Sequence, residues 1–396
     1  MSELASEPTT QSWRKAAEEL AAALRENAVA RDAAGANPDR EVELLRESGL
    51  LRLLIPAERG GTGAGWPAAN TVTRVVSAAD ANVGHLLGYH YLQLWRSELF
   101  DRPELIERLH RDTVAGNWFW AGVSNPLDAA LELTPVAGGF RINGRKTFAT
   151  GAAVADRLVV SATRTDNGEK LTFTVDAGAP GIRYLNDWDN IGQRLTASGG
   201  VVFTDVDLPA DDVLGVNPES ELVPRLSLAA IGFQLFLAQI YVGIAEGALT
   251  EAAEYTRKIS RAWFVSGVVA ATADPYIVAG YGELVAGVRA AGALTDVAAA
   301  ALGDAFDRGA ELSEAERADA AVAISAAKVV ATRVATETTS KVFEFTGARA
   351  TATKHGFDRF WRNARTLTLH DPVVYKAAEV GAHFLTGARP SYTGYS

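Results

Sequence analysis

The chain has 396 residues, 48% of them hydrophobic and 22% charged, which suits an ordinary globular protein of two or three packed subdomains. Its formal net charge of -10, without any run of basic residues, argues against nucleic acid or an anionic membrane surface as a partner. Because the chain contains no cysteine, disulfides, thiolate nucleophiles and iron–sulfur clusters are excluded.

The N-terminal part is predicted to be helical. Its first fifteen residues lack a basic segment followed by an apolar one, so no secretory signal is expected and the predicted location is the cytoplasm. Apolar residues that recur every three or four positions predict helices over residues 12–32, 38–49, 67–81 and 82–100.

Two features of this part look functional and are interpreted as structural. The glycines Gly61, Gly63 and Gly65 do not have the spacing of a dinucleotide-binding loop, so they predict a loop between helices. His85 and His90 are five positions apart, which places them roughly 140° apart on a helix, too far to bind one metal ion together. No metal site is expected.

Between residues 117 and 215 the pattern changes to alternation of apolar and polar residues, with strand-like runs at 139–143, 157–162, 170–175 and 200–204. Asn143-Gly144 and Asn167-Gly168 mark turns between them. These short segments predict a small antiparallel β-barrel. The predicted domains are therefore residues 1–115, N-terminal helices; 116–216, a central β-barrel; and 217–396, a C-terminal helical bundle.

Long helices return after the barrel. Residues 226–245 carry no formal charge, but polar residues such as Gln234 and Gln239 favour the core of a bundle over a membrane span. A second helix covers residues 324–345, and a last one covers 373–385. Glycines around residues 263–283 predict a mobile lid, and Asp371-Pro372 predicts an N-cap for the last helix.

Polar and aromatic residues are concentrated in two places. Three of the six histidines, together with several arginines and Trp361, lie between His355 and His383, which predicts a lined cavity. Aromatic residues next to small or hydroxyl-bearing ones, at Trp120 to Gly122, Phe148 to Thr150 and Trp188, suit a planar heterocycle. Taken singly, each tryptophan equally suits core packing.

With these segments, the chain resembles the acyl-CoA dehydrogenase superfamily. Within it, the resemblance is to the reduced-flavin, two-component monooxygenases and is closest to the dibenzothiophene monooxygenase group. The resemblance covers nearly the whole chain. It is carried by blocks in the same order, among them Gly84-His-Leu-Leu-Gly-Tyr-His90, Gly356-Phe-Asp-Arg-Phe-Trp-Arg-Asn363 and Leu369-His-Asp-Pro-Val373.

The resemblance implies an α+β, acyl-CoA dehydrogenase-like fold: N-terminal helices, a central antiparallel barrel and a C-terminal four-helix bundle, assembled as a homotetramer. It also implies a flavin cleft. The implied cofactor-binding residues are Trp120, Gly122, Thr150, Trp188, Ser198, Arg261, Arg362 and Arg365, with one arginine from a neighbouring subunit. The implied catalytic residues are His90, His383 and Thr150, and the implied substrate pocket contains Tyr89, Trp120 and His383.

The implied function is oxygenation of a heteroaromatic compound, such as a dibenzothiophene-like sulfur heterocycle or an indole, through a flavin C4a-hydroperoxide. Reduced flavin, FMN with FAD as the alternative, would come from a separate NAD(P)H-dependent reductase, and O2 is the second substrate. Gly122 stands where the dibenzothiophene enzymes have an asparagine, so the atom that is oxygenated stays open.

Two other functions compete. An acyl-CoA dehydrogenase needs a carboxylate base before the last helix, and Asp371 is the candidate. A flavin-free scaffold of the same fold would have lost the aromatic and arginine positions, which are retained here.

Overall fold

The N-terminal region is a layer of helices. The computed structural model describes residues 10–217 and 223–396. The helices in the first of these ranges are α1 (Thr10–Glu26), α2 (Ala28–Ala34), α3 (Asp39–Glu47), α4 (Trp66–Ala79), α5 (Ala81–Ser97) and α6 (Pro103–Gly116). The prediction of one helix over residues 12–32 is corrected, because the chain leaves the helical conformation at Asn27, with φ -125° and ψ 19°.

Helix α5 is the element around which this region is packed. Every one of its residues is buried, and it contacts α4, the C-terminal bundle and the sheet. Its start is fixed by Asp80, whose side chain accepts a hydrogen bond of 3.0 Å from the backbone N–H of Asn82. Asp80 also forms an ion pair with Arg31, at 2.7 Å. The glycine-rich segment before α4 forms a loop, as predicted, with Gly60 and Gly63 at positive φ.

The central region is an eight-stranded sheet. Its strands are β1 (Trp120–Val123), β2 (Leu131–Val136), β3 (Gly139–Lys146), β4 (Arg157–Arg164), β5 (Lys170–Asp176), β6 (Ile182–Tyr184), β7 (Val201–Pro209) and β8 (Val213–Val216). The order is β6-β7-β3-β2-β4-β5-β8, and β1 pairs with β4. The four predicted strand-like runs lie in β3, β4, β5 and β7, which confirms them.

The prediction of a purely antiparallel barrel is wrong in one respect. Strand β4 pairs with β5 antiparallel along one edge, but along its other edge it pairs with β1 and then β2, both parallel. The sheet is therefore mixed. A parallel neighbour joins segments far apart in sequence, so local alternation of residues carries no signal for it.

The C-terminal region is a bundle of long helices. They are α7 (Pro224–Lys258), α8 (Pro275–Asp307), α9 (Glu314–Thr346), α10 (Asp358–Leu367) and α11 (Val373–Thr386). Helix α7 packs against α4, α5, α8 and α9, and so joins the N-terminal helices to the bundle. The predicted domain limits at residues 115 and 216 lie beside the end of α6 and at the end of β8.

Helices α7 and α8 are long and apolar enough to cross a membrane, with mean hydropathies of 1.8 and 1.4 over their most apolar windows. In α7, 89% of that window is buried inside the protein, so packing accounts for its composition. In α8 only 39% is buried, and its outer face consists largely of alanine, glycine and valine. This face suits packing against another protein surface.

Candidate active site

A cavity of about 610 Å³ lies where α5, the sheet and the C-terminal helices meet. This volume is typical of a site for a cofactor or a drug-sized ligand. The helix wall consists of His85, Tyr89, Gln93 and Phe233; the sheet wall of Gly122, Ser124, Thr150, Trp188, Gln193 and Ser198. The C-terminal wall contains Arg365, Thr366, Leu367, Leu369, His370 and Tyr395; the rim contains residues 125–127, Phe148 and residues 189–191.

The helix wall is a stripe of polar residues on an otherwise buried helix. His85, Tyr89 and Gln93 follow one another at intervals of four, so they share one face of α5. The rings of His85 and Tyr89 meet edge to face, with centroids 4.3 Å apart. This stripe is fixed by packing and forms a rigid side of the cavity.

His85 is a neutral hydrogen-bond acceptor. Its Nδ1 donates to Gln193 Oε1 at 3.0 Å, and this places its single ring proton on Nδ1. Burial lowers the pKa of His85 to about 4, so the ring is uncharged at pH 7. Its buried Nε2 has no partner among the described residues and is left as an acceptor in the cavity wall.

The sheet wall offers hydroxyl groups and one aromatic ring. Thr150 Oγ1 and Ser198 Oγ share a hydrogen bond of 2.9 Å, and Ser198 shares another, of 2.7 Å, with Thr196. Trp188 donates from Nε1 to the backbone oxygen of Gln193 at 2.7 Å, which fixes the indole plane. Polar groups beside a fixed ring suit a flat ligand with polar edges.

The C-terminal wall presents His370, which belongs to a chain of charged groups. Its Nδ1 donates to Asp371 Oδ1 at 3.0 Å, and the same oxygen accepts an ion pair from Lys328. The buried Lys328 also donates to Gln234. Burial lowers the pKa of Lys328 to about 8 in spite of the opposing effect of Asp371.

These contacts correct the prediction that Asp371 is a helix cap. The residue before α11 is Pro372, and no side chain caps that helix. Burial raises the pKa of Asp371, but the hydrogen bond from His370 and the charge of Lys328 outweigh it and hold the pKa well below its usual range. Asp371 is absent from the cavity lining, and a carboxylate with so low a proton affinity is a poor base.

His90, one of the predicted catalytic residues, lies outside the cavity. Its Nε2 donates to the backbone oxygen of Leu51 at 2.7 Å, and its Nδ1 accepts from the backbone of Trp120 at 3.0 Å. The ring is fully buried and stacks on Phe119. With both nitrogens engaged, the geometry favours a structural role for His90 over the predicted catalytic one.

Trp120 and His383 also lie away from the cavity of this chain. Trp120 is fully buried and donates from its indole to Thr113 at 2.9 Å, so it is a core residue. His383 lies at the end of α11, where its Nδ1 donates to the backbone oxygen of Ala388 at 3.1 Å. The structure therefore separates both from the predicted substrate pocket, to which Tyr89 does contribute.

The three arginines predicted to contact a phosphate have different positions. Arg365 is part of the cavity lining and is an exposed residue. Arg362 instead forms an ion pair with Asp32, which ties α10 to the N-terminal helices, and a second one with Asp358 within α10. Arg261 lies on an exposed loop and is not part of the lining.

The main omissions of the sequence analysis are His85, His370 and the two glutamines of the lining. The sequence carries a signal for each histidine: His85 lies four positions before Tyr89, and His370 lies next to Asp371. Within the described residues, no group of three or more histidine, aspartate and glutamate side chains could hold a metal ion.

The residues present fit a bound flavin. Buried polar atoms of His85, Gln93 and Gln193 lack partners in the described chain, which is expected where a ligand supplies them. The absence of a side chain at Gly122 leaves room for the Gln93 amide in the cavity wall, since a Cβ there would lie 2.2 Å from Gln93 Nε2. Arg365 is placed to bind an anionic group at the cavity edge.

Comparison with protein families gives three matches in chain order. The N-terminal, middle and C-terminal domains of acyl-CoA dehydrogenase match residues 7–96, 126–206 and 235–374. These matches follow the division into helices, sheet and bundle.

Individual relatives are similar over almost the full length. The dibenzothiophene monooxygenase of Rhodococcus erythropolis is 42% identical, over 94% of this chain and 92% of the relative. A probable FMNH2-dependent monooxygenase of Pseudomonas putida, SfnC, is 39% identical, over 96% of each chain. The FMN-bound structure of TdsC from Paenibacillus sp. A11-2 has a TM-score of 0.93 at 38% identity, covering 98% of this chain and 100% of TdsC. TdsC has also been solved with indole bound.

Proposed function

The chain belongs to the acyl-CoA dehydrogenase family, and from this membership we propose that it is the oxygenase component of a two-component flavin-dependent monooxygenase. A relative named as a dibenzothiophene monooxygenase and one named as a probable FMNH2-dependent monooxygenase match 94% and 96% of the chain. The enzyme uses reduced FMN and O2 to oxygenate a small heteroaromatic compound. FMN is favoured over FAD because an FMNH2-dependent relative and the FMN-bound TdsC are both close in sequence.

The observation that carries this proposal is the chemistry of the cavity lining. Histidine side chains face it from two sides, His85 from α5 and His370 from the C-terminal wall. The α-proton base expected of an acyl-CoA dehydrogenase is missing from this wall, because Asp371 is turned to Lys328 and His370. Asp189 is the one carboxylate among the described lining residues, and it is exposed at the rim.

We assign the flavin ring to the sheet wall. Bound reduced flavin supplies the electrons with which oxygen is activated. Thr150 and Ser198 offer hydroxyl groups to the ring edge, and Trp188 offers an aromatic surface. Arg365 is the candidate phosphate ligand within this chain, and Arg261 is the candidate from a neighbouring subunit.

His85 and His370 hold and move protons at the reacting atoms. The neutral His85 presents its Nε2 lone pair, so it accepts a proton or a hydrogen bond. His370 keeps the hydrogen on Nδ1 in its bond to Asp371, and its other nitrogen remains for proton transfer. Apolar groups such as Phe233, Leu367 and Leu369 exclude water from the same space.

A separate reductase completes the system. The sheet of the described residues is mixed and lacks alternating strands and helices, so it does not offer the parallel fold that binds NAD(P)H. The predicted cytoplasmic location belongs to the same proposal, since the reductase draws on NAD(P)H.

We also propose that the chain assembles as a homotetramer. Phe264, Val269 and Tyr276 are 83%, 99% and 84% exposed around the start of α8, and Phe384 and Leu385 are 86% and 78% exposed on α11. The exposed residues around the start of α8, together with the small-residue face of that helix, define an apolar surface of the kind that marks a protein interface. Its position next to Arg261 is consistent with a site completed by a neighbour.

The test is oxygenation with FMN reduced by an added flavin reductase and NADH, in the presence of O2 and a panel of dibenzothiophene, benzothiophene and indole. Products are identified by mass. We expect an oxygenated product that requires the reductase. If no compound is oxygenated and an acyl-CoA thioester bleaches bound flavin anaerobically, the chain is a dehydrogenase. Failure to bind FMN would instead favour a flavin-free scaffold.

A further inference from the structure

Gln93 is a polar side chain of the helix wall that the proposed mechanism does not use. It is 1% exposed, and its amide oxygen Oε1 is buried without a hydrogen-bond partner in the described part of the chain. A buried amide without partners is costly, and proteins rarely retain one. Since Gln93 lines the cavity, the partner is expected to be the molecule that binds there.

The backbone opposite Gln93 is shaped to hold its amide. A Cβ on Gly122 would lie 2.2 Å from Nε2 and 2.5 Å from Cδ of Gln93. Any residue other than glycine at position 122 would therefore displace the amide. The pairing of Gly122 with Val159 on β4 keeps the strand in place. Gln93 therefore fills the space that the glycine leaves and is held at the cavity edge.

The neighbours of Gln93 determine which ligand group would suit it. His85 lies two helical turns before it on the same stripe, and its neutral ring presents an acceptor there. An amide can also present its carbonyl oxygen as an acceptor. Two acceptors along one edge of a cavity with apolar residues such as Phe233 and Leu367 complement a flat ring that carries an N–H group.

We propose that Gln93 accepts a hydrogen bond from the ring N–H of the substrate and so selects N–H heteroaromatic compounds of the indole type over their sulfur analogues. A thiophene sulfur has no hydrogen to donate, and it leaves the buried amide unpaired. This inference rests on the proposed function, because it concerns the substrate of the same cavity.

The experiment compares three nearly isosteric ligands: indole, benzothiophene and 1-methylindole. Their dissociation constants are measured by calorimetry on the full-length protein with oxidised FMN, so that no turnover occurs. We expect wild type to bind indole about three- to tenfold more tightly than either of the others, as one hydrogen bond allows. Equal affinities, or no binding of any of the three, would overturn the proposal without any variant being made.

Two variants locate the effect. Gln93→Met keeps the length of the side chain and removes its polar groups, so the preference for indole should fall to near unity while benzothiophene binds at least as well. The double variant Gln93→Ala with Gly122→Asn moves an amide from α5 to β1 and should restore part of the preference. If Gln93→Met retained the wild-type preference, the assignment to Gln93 would be wrong.

The binding assay and the oxygenation assay fail independently. If the protein prefers indole but produces no oxygenated compound, the role assigned to Gln93 stands and the proposed function is wrong. If the protein binds and oxygenates benzothiophene and indole equally, the proposed function stands and the role assigned to Gln93 is wrong.

Discussion

The two cavity histidines both donate from Nδ1, but His85 donates to an amide oxygen and His370 to a carboxylate. Burial without a charged partner keeps His85 neutral, with a pKa of about 4, and its one hydrogen is engaged with Gln193. His370 donates from Nδ1 to the carboxylate of Asp371, so its ring hydrogen is engaged with a charged partner. The site thus presents imidazole rings on two of its walls, each held in place by a hydrogen bond from Nδ1.

His370→Ala should lower the yield of oxygenated product about a hundredfold or more and divert reducing equivalents to hydrogen peroxide, since proton control is lost. The measurement is product formed per NADH consumed, with hydrogen peroxide quantified beside it. His383→Ala is the matched control, because His383 lies outside the cavity of its own chain. If His370→Ala formed as much product per NADH as wild type and His383→Ala formed less, control of the proton would belong to His383.

Asp371→Asn should destabilise the protein by about 3–5 kcal/mol, because it leaves the buried Lys328 without its counter-charge. Asp358→Asn, which removes the exposed partner of Arg362, should cost no more than about 1 kcal/mol. Chemical denaturation at pH 7 measures both. Similar stabilities for the two variants would contradict the ion pair, and loss of acyl-CoA-dependent flavin bleaching in Asp371→Asn would support the dehydrogenase.

At the scale of elements, local periodicity was enough to predict α3, α4, α5 and four strands. The spacing of apolar residues within one helix or one strand depends only on residues that are close together in the sequence. The parallel pairing of β4 with β1 and β2 depends on contacts between distant segments, and no local pattern encodes it. Helix α5 is buried all round, so its sequence has no amphipathic face to show that His85, and not His90, points into the cavity.

The predicted lid over residues 263–283 has no residue in the cavity lining, whereas residues 125–127 and 394–395 are part of that lining. Amide hydrogen exchange at these two segments should slow on binding of FMN and indole, because the ligands bury rim backbone that lacks regular structure. Residues 263–270 are the internal comparison. Greater protection at 263–270 than at the rim would reinstate the lid prediction.

At the scale of the whole molecule, buried histidines should make the fold sensitive to acid. The pKa values of His85 and His90 are both lowered to about 4 by burial, against 6.5 for the exposed side chain. Between these values the unfolded chain binds more protons, so the free energy of unfolding falls as the pH drops from 6.5 to 4, by up to roughly 3 kcal/mol per histidine.

Denaturant unfolding at pH 7 and pH 5 measures this slope. His85→Asn keeps a donor toward Gln193 but cannot take up a proton, so its stability should depend less steeply on pH than that of wild type. An unchanged slope would mean that His85 is protonated in the folded protein.

The proposed tetramer and the proposed flavin site are linked by the loop that carries Arg261. Sedimentation should give the mass of four 42.0 kDa chains. Phe264→Asp places a charge in the apolar surface and should yield smaller species, while Leu127→Asp, equally exposed at 83% but located at the cavity rim, should not. If the neighbouring subunit supplies Arg261, then Phe264→Asp must weaken FMN binding together with the loss of mass. Arg261→Ala should weaken FMN binding at unchanged mass, and normal affinity in both variants would leave Arg365 as the phosphate ligand.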